Sequence, residues 1–341
     1  MEQPYDAVLI VSFGGPEGPN DVVPFLENVL RGKNVPPRRL LEVAGHYDQF
    51  GGVSPLNAQT RALAAALGVE LAAHGPDLPV YWGNRNWQPL LADTLAEMTR
   101  DGVRRALGFF TSAYSSYSSC RQYREDIERA RQTVGAAAPQ VEKLRAFYNH
   151  PGLIGPMIDR VQAALMELDP SRRISAKVIY TAHSIPRAMA DSCSYVAQFQ
   201  EAAGLVSEGL ALTDFIVAYQ SRSGPPEQPW LDPDIKNVLR QLHAGGKVRD
   251  VVTVPIGFLS DHMEILFDLD TEARQLSEQL GLNMVRAQTV GSHPDFVRMI
   301  RELILERVAK APRRVLGKLG ASHDVCPADC CLYAATPRGK D

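Results

Sequence analysis

Val178-Ile179-Tyr180-Thr181-Ala182-His183-Ser184-Ile185-Pro186 is the stretch whose reading decides the fold. Four residues of strand-forming chemistry lead into a histidine, a serine and a turn-forming proline. That order puts His183 at the carboxyl end of a strand in an open α/β sheet, the edge where ligands bind. A histidine there can hold or pass a proton near neutral pH. A lone histidine at a strand end is usually just a hydrogen-bonded surface residue, so its companions decide.

The same strand-then-breaker grammar recurs along the chain. Residues 7–11 form a continuous apolar run, the mark of a strand buried on both faces, and end in Ser12-Phe13-Gly14-Gly15-Pro16. Further strands are predicted at 80–82, 105–110 and 143–147, then at 177–181, 214–219, 250–255 and 283–286. Helices are predicted at 21–30, 55–73, 88–100, 121–131, 153–168, 195–209, 263–280 and 294–307. Between the first two helices lies a basic loop with Arg31, Lys33, Arg38 and Arg39. Repeated strand–helix alternation predicts an α/β protein of two Rossmann-like domains. Each is a parallel sheet flanked by helices, and the active-site cleft lies between them. The expected units are 1–150, 151–310 and a cysteine-bearing tail, 311–341, that packs back on the first domain.

Composition narrows the function. The chain has 341 residues, 45% hydrophobic and 22% charged, which is ordinary for a protein with a sizeable core. A net charge of −3 with no long basic run argues against nucleic acid as a partner. No apolar run approaches the ~18 residues of a membrane span, and no charged-then-apolar leader is visible, so a cytoplasmic location is expected. Five cysteines, an odd number, do not make a disulfide framework.

Several constellations carry chemistry. In Gly51-Gly52-Val53-Ser54-Pro55-Leu56, Ser54 is placed as an N-cap and Pro55 as the first helical residue. The free N–H groups of such a helix start suit a carboxylate, though Ser-Pro is also a common plain opening. Residues 111–120 form a hydroxyl-rich loop with Tyr114 and Tyr117, and Tyr123 lies in the first turn of the next helix. Glu264, Asp268 and Glu272 recur every fourth residue, so they line one helix face. Three aligned acids bind a cation, pass protons, or simply face solvent. His183 and Glu264 both sit at strand-to-helix turns on the same sheet edge, as a divalent-metal pair or an acid/base pair would.

Taken together, Ser12 to Pro16, Gly51 to Pro55, Thr181 to Pro186, Gln220 to Pro225 and Gly257 to Glu264 resemble the ferrochelatase family, in order and spacing, over about residues 5 to 310. The serine-rich loop and the tail cysteines are most similar to its actinobacterial branch, coproporphyrin III ferrochelatases with a [2Fe–2S] cluster. The resemblance implies a chelatase-like fold and the insertion of Fe²⁺, as substrate, into a porphyrin held in the cleft. His183 is then the catalytic, metal-binding residue with Glu264 as its partner, and Asp268 and Glu272 form an outer path for iron or protons. Ser54 and Tyr123 match substrate contacts, and Arg31 is the expected cationic partner for a carboxylate in the basic loop. Many Gram-positive relatives carry a tyrosine on the metal's axial side where this chain has Phe13, which can pack on the macrocycle but cannot ligate.

Residues 16–50 read as a polar, basic rim without a long apolar lip, which suits a tetra-acid. With the actinobacterial likeness this favours coproporphyrin III, giving Fe-coproporphyrin III (coproheme) in haem biosynthesis. Protoporphyrin IX as substrate, or a non-catalytic tetrapyrrole carrier, are the alternatives. A monomer is expected, with transient contacts to neighbouring haem-pathway enzymes. Cys326, Cys330 and Cys331 supply three of the four thiolates that a [2Fe–2S] cluster needs. The fourth comes from Cys120 or Cys193, and the resemblance selects Cys120. Zinc is the other occupant, and the expected role is stability.

Overall fold

The computed structural model describes residues 4–32 and 35–333. The apolar run of the first half becomes β1 (Ala7–Ser12), buried at all six positions. After it come α1 (Pro19–Leu30), α2 (Pro37–Asp48), α3 (Leu56–His74), β2 (Val80–Asn84), α4 (Leu91–Arg100), β3 (Arg105–Phe110), α5 (Gln122–Val134) and β4 (Gln140–Lys143). Then α6 (Pro151–Met166) leads to the second half, β5 (Lys177–His183), α7 (Arg187–Ala190), α8 (Tyr195–Gly209), β6 (Phe215–Gln220), α9 (Ile235–Ala244) and β7 (Asp250–Val254). The half closes with α10 (Met263–Phe267), α11 (Arg274–Gln279), β8 (Asn283–Arg286) and α12 (Pro294–Val308).

Each half is a four-stranded sheet, in the orders β2-β1-β3-β4 and β6-β5-β7-β8, with every pairing parallel. The chain reverses direction across the sheet between β1 and β3, and again between β5 and β7. Those two switch points are where the strand ends splay apart and leave room for a ligand.

The halves are joined by packing. One apolar cluster takes Val8, Ile10 and Phe109 from the first sheet and Val178, Tyr180 and Val252 from the second, bridged by residues of α6, α8 and α12. Helix α12 lies against both α3 and α6. Beside it, Arg145 donates to Glu306 through two nitrogens at 2.7 and 2.9 Å, and both side chains are almost fully buried. The 143–147 stretch, read as strand, is therefore mostly linker. Regular β4 ends at Lys143, and Arg145 is spent on α12.

Other departures have local causes. Pro37 opens α2 rather than breaking the chain, so Arg38 and Arg39 are helical and pair with Glu42. Lys33 lies outside the described residues. Helix α9, unread in the sequence, is capped by Asp234 Oδ1, which accepts the Lys236 N–H at 2.8 Å, and it buries Ile235, Val238 and Leu239. The helix expected at 263–280 is broken by a wide π turn over Asp268–Ala273.

The tail is pinned to both halves. Asn149 Nδ2 donates to the Leu316 and Gly320 carbonyls at 3.1 and 2.9 Å. Glu201 of α8 accepts the N–H groups of Lys318 and Leu319 at 2.6 and 2.9 Å. Arg121 donates to the carbonyls of Ala328 and Cys330 at 2.7 and 3.1 Å.

Candidate active site

His183 is the last residue of β5, and Glu264 lies in the first turn of α10 after β7, so the pair straddles the second switch point. Gly257 makes this possible. A Cβ there would lie 2.5 Å from Ala182 Cα, so only glycine lets the loop after β7 cross the end of β5. The Gly257 N–H donates to the Thr181 carbonyl at 3.0 Å. His262 Nδ1 accepts the Glu264 N–H at 3.2 Å and sets the start of α10.

His183 Nε2 is 3.2 Å from Glu264 Oε1. Its Nδ1–H points at the Ser184 carbonyl, 2.5 Å away, which leaves Nε2 as the nitrogen that exchanges a proton or meets a metal. Burial works against the imidazolium, yet the charge and hydrogen bond of Glu264, with the Ser184 carbonyl, together hold His183 at about 9. Burial likewise works against the carboxylate, and the charge and hydrogen bond of His183 bring Glu264 down to about 2. The resting pair is therefore imidazolium and carboxylate. Both side chains keep part of their exposure, 32% and 42%, so a ligand can reach them.

Behind this pair the carboxylates differ. Ser221 Oγ donates to Asp268 Oδ2. Burial, helped by the charges of Glu264 and Glu272, outweighs that bond and pushes Asp268 up to about 7. Glu272 instead accepts from Lys236 Nζ at 2.9 Å. A cavity of about 370 Å³ opens on Asp268 and Glu272, with Gln220, Ser221, Lys236 and His46 among its walls. The three acids are half-buried and each has its own partner, unlike a solvated face.

The first switch point carries different groups. Phe13 follows β1, and the Arg85 guanidinium lies over its ring at 5.6 Å and over the Tyr123 ring at 4.5 Å. Arg85 is paired with Asp126. Tyr123 is buried, stacked on Phe110 at 5.4 Å, so its ring lies beneath Arg85. Ser54 is buried as well, and α3 starts one residue later than read, with Pro55 in the cap position. Ser54 Oγ accepts the Leu56 N–H at 3.4 Å, and Gly15 leaves it room, since a Cβ there would come within 2.7 Å of Ser54 Cβ. Arg31 is exposed at the end of α1 and donates to Asn28 Oδ1 at 2.5 Å.

Over this edge α1 and α2 form a lip that the sequence did not reveal. Its apolar residues, Val22, Phe25, Leu26, Ala44 and Tyr47, face inward against Met263, while Arg38 and Arg39 remain outside. The His46 ring stacks on Phe267 at 3.7 Å and 11°. The lip of the first half thus touches the short helix that carries Glu264.

The cysteines converge at a second place. Cys120 and Cys326 are near enough for each thiol to shift the other, which pulls Cys326 below its ordinary pKa and pushes Cys120 above it. Cys330 and Cys331 have their sulfurs 3.7 Å apart. His323, missed in the sequence, joins them: its ligand atom and those of Cys326 and Cys330 all lie within 4.8 Å of one another. The spacing His323-x-x-Cys326 was visible, but a histidine in a tail has many duties. Cys193 lies between α7 and α8, with its thiol directed to the Met189 carbonyl at 3.2 Å.

Comparison with known proteins adds the context. The family model for ferrochelatase matches residues 5–308. A ferrochelatase from Rhodopirellula baltica is 56% identical over 98% of this chain and 95% of its own length. Coproporphyrin III ferrochelatases from Streptomyces griseus and Streptomyces coelicolor are each 50% identical, over 96% and 98% of this chain and 93% and 95% of theirs. In fold, the chain is similar to SirB from Bacillus subtilis with Fe³⁺, with a TM-score of 0.56 at 14% identity over 90% of this chain and 96% of that one.

Proposed function

The chain belongs to the ferrochelatase family, and from that premise we propose that it inserts Fe²⁺ into coproporphyrin III to give Fe-coproporphyrin III in haem biosynthesis. The observation that carries this reading is the His183–Glu264 pair at the second switch point. Metallation requires two pyrrole N–H protons to leave as Fe²⁺ sheds water and enters the ring. His183 begins as an imidazolium, so its Nε2 proton must depart before it accepts a pyrrole proton or ligates iron; one lone pair serves one role at a time. Asp268, poised at about 7, is a carboxyl able to take that proton and release it to the cavity. Glu272 lies farther along the same route.

On the opposite side, Phe13 offers a ring to the flat macrocycle but no ligand to iron. Arg31 is a charged partner for a propionate, as is the start of α3 at Ser54. Tyr123 contributes through Arg85, which it supports from below. The names of the Streptomyces relatives support coproporphyrin over protoporphyrin IX. The same reading divides the chain at 150/151 and 310/311 and makes it a cytoplasmic monomer that meets neighbouring haem-pathway enzymes transiently. Among the described residues no helix is long and apolar enough to cross a membrane. The test is anaerobic incubation of the protein with Fe²⁺ and each porphyrin, followed by absorption. Conversion of coproporphyrin III at the higher kcat/KM supports the reading, and preference for protoporphyrin IX overturns the substrate. Binding of both without conversion makes the protein a carrier.

For the second place we propose a [2Fe–2S] cluster on Cys120, Cys326, Cys330 and Cys331. The donor set fits: four thiols from two distant segments, with Lys143 near enough to favour thiolates at Cys120 and Cys326. When bound, such a group ties four thiolates into one unit and fastens the tail to the first sheet. His323 beside Cys326 and Cys330 favours zinc as the competing occupant. Visible cluster absorption in purified protein, lost in both Cys120→Ser and Cys330→Ser but kept in Cys193→Ser, supports the cluster. A colourless protein with bound zinc refutes it.

A further inference from the structure

His183 and Glu264 are placed by different parts of the molecule. His183 is fixed within its own half, where the Tyr195 hydroxyl, at the start of α8, donates to the His183 carbonyl at 2.9 Å. Glu264 follows the loop 255–262, and the first half holds that loop at two points. Near its start the Tyr114 hydroxyl donates to the Ile256 carbonyl at 3.1 Å, and Tyr114 is 2% exposed. Near its end the Gln59 amide, one turn into α3, makes two bonds to one residue. Its Nε2 donates to the Asp261 carbonyl at 3.3 Å, and its Oε1 accepts the Asp261 N–H at 2.9 Å. These partners fix the amide's orientation, since a backbone N–H only donates and a carbonyl only accepts. Asp261 precedes His262, which starts α10 and so sets where Glu264 stands. The Asp261 side chain is held separately, by Arg286 at 3.0 Å, so Gln59 acts on the backbone.

Resting on the chelatase reading, we propose that Gln59 is a positioning residue for Glu264, and that with Tyr114 it makes the reach from Glu264 to His183 depend on the junction between the halves. A loop outside regular structure opens easily unless its backbone is bonded, and here both bonds come from across the cleft. Misplacing a reacting group by about 1 Å can cost about a hundredfold in rate. Because α3 opens just after Ser54, the helix that offers a place to a propionate also holds the arm that carries Glu264. Macrocycle and carboxylate are thereby set in one frame. The grip is made by α3 and the loop after β3, apart from the end of β1 where Phe13 packs.

The experiment compares two variants of the full chain: Gln59→Met, which keeps the length but neither hydrogen bond, and Tyr114→Phe, which keeps the ring. Gln59→Met should lower kcat about five- to thirtyfold, with the porphyrin KM within about twofold of wild type. Tyr114→Phe should lower kcat about two- to fivefold, and the double variant should lose more than the product, since each grip covers for the other. The second readout needs no turnover: titration of His183 by nuclear magnetic resonance in porphyrin-free protein, its signal assigned by loss in His183→Ala. Glu264, Asp268 and His262 are the titratable groups whose charges reach His183. With Glu264 farther away, the His183 titration should move down from about 9 toward the ordinary histidine value in Gln59→Met. An unchanged His183 titration or an unchanged kcat in Gln59→Met overturns the proposal, whatever its stability in urea. If the wild type inserts no iron, the chelatase reading fails, and the His183 titration still decides whether Gln59 positions Glu264.

Discussion

β1 and β5 hold the same place in sheets of the same strand order, yet β1 ends in Ser12-Phe13 and β5 in His183-Ser184. Around the first end stand an aromatic ring, a guanidinium held by Asp126 and a buried tyrosine. Around the second stand an imidazole and two carboxyl groups with shifted proton affinities. Topology supplies two equivalent openings, and the residues at the strand ends decide what each does. A flat macrocycle between them meets a surface that packs on one side and a surface that exchanges protons and metal on the other.

The largest effect should come from exchanging that division of labour. His183→Ala and Glu264→Gln are each expected to lower iron insertion about a hundredfold or more. Porphyrin binding, read by fluorescence quenching, should stay within a few-fold in both. Phe13→Leu should do the reverse, raising the porphyrin KM with little change in kcat. A Phe13→Leu protein that binds normally but turns over a hundredfold more slowly would erase the distinction between the edges.

Next in size are two glycines, one at each edge, whose places leave no room for a Cβ. Gly15→Ala and Gly257→Ala each force a carbon into 2.7 or 2.5 Å contacts and should cost about 1–3 kcal/mol in urea unfolding. Only Gly257→Ala should also lower kcat, because it moves the end of β5 relative to the loop that leads to Glu264. Equal losses of kcat in both would show that the first edge also positions reacting groups.

A smaller effect separates the edges by pH. His183 has its pKa raised to about 9, so the folded chain binds its proton more tightly than the unfolded chain. The stability this adds is fully present below the ordinary histidine pKa and is lost as pH rises through about 9. Glu264 adds stability that is lost only as pH falls through about 2. Because the pair is partly exposed, the change above neutrality should be about 0.2–1 kcal/mol. Melting temperatures between neutrality and that upper limit should fall in the wild type and flatten in Glu264→Gln. A decline of the same size in the variant would assign it to other groups.

The smallest expected change is at Arg31, which is exposed and held only by Asn28. Arg31→Ala should shrink the advantage of coproporphyrin III over protoporphyrin IX in kcat/KM about two- to fivefold. No change would remove Arg31 from the substrate contacts and leave the first edge with packing alone.

Much of this was legible in the chain itself. Continuous apolar runs marked the buried strands, and Ala7 to Val11 and Val178 to Ala182 sit where that pattern puts them. The basic loop with Arg38 and Arg39 concealed α2, because those charges belong to a helix that Pro37 opens. The every-fourth spacing of Glu264, Asp268 and Glu272 was visible, but the π turn at Asp268–Ala273 was not, since a turn widened by one residue leaves no periodic trace. Tyr123 was legible as an aromatic near the cleft, while its burial under Arg85 depended on a partner 38 positions away.

The sequence by itself determined the α/β class, the alternation that builds two parallel sheets, and the residue types at the strand ends. These follow from local chemistry: apolar runs bury, glycine and proline turn the chain, and a strand end points its last side chains toward the opening. Only the tertiary structure decided which of those side chains share a proton, which are neutralised and which are covered. Glu264 meets His183 across 81 positions, Glu272 meets Lys236 across 36, and the Cys120 thiol meets a tail more than 200 residues away. Proton affinity depends on burial and on neighbouring charge, and both belong to the assembled fold rather than to any segment of it.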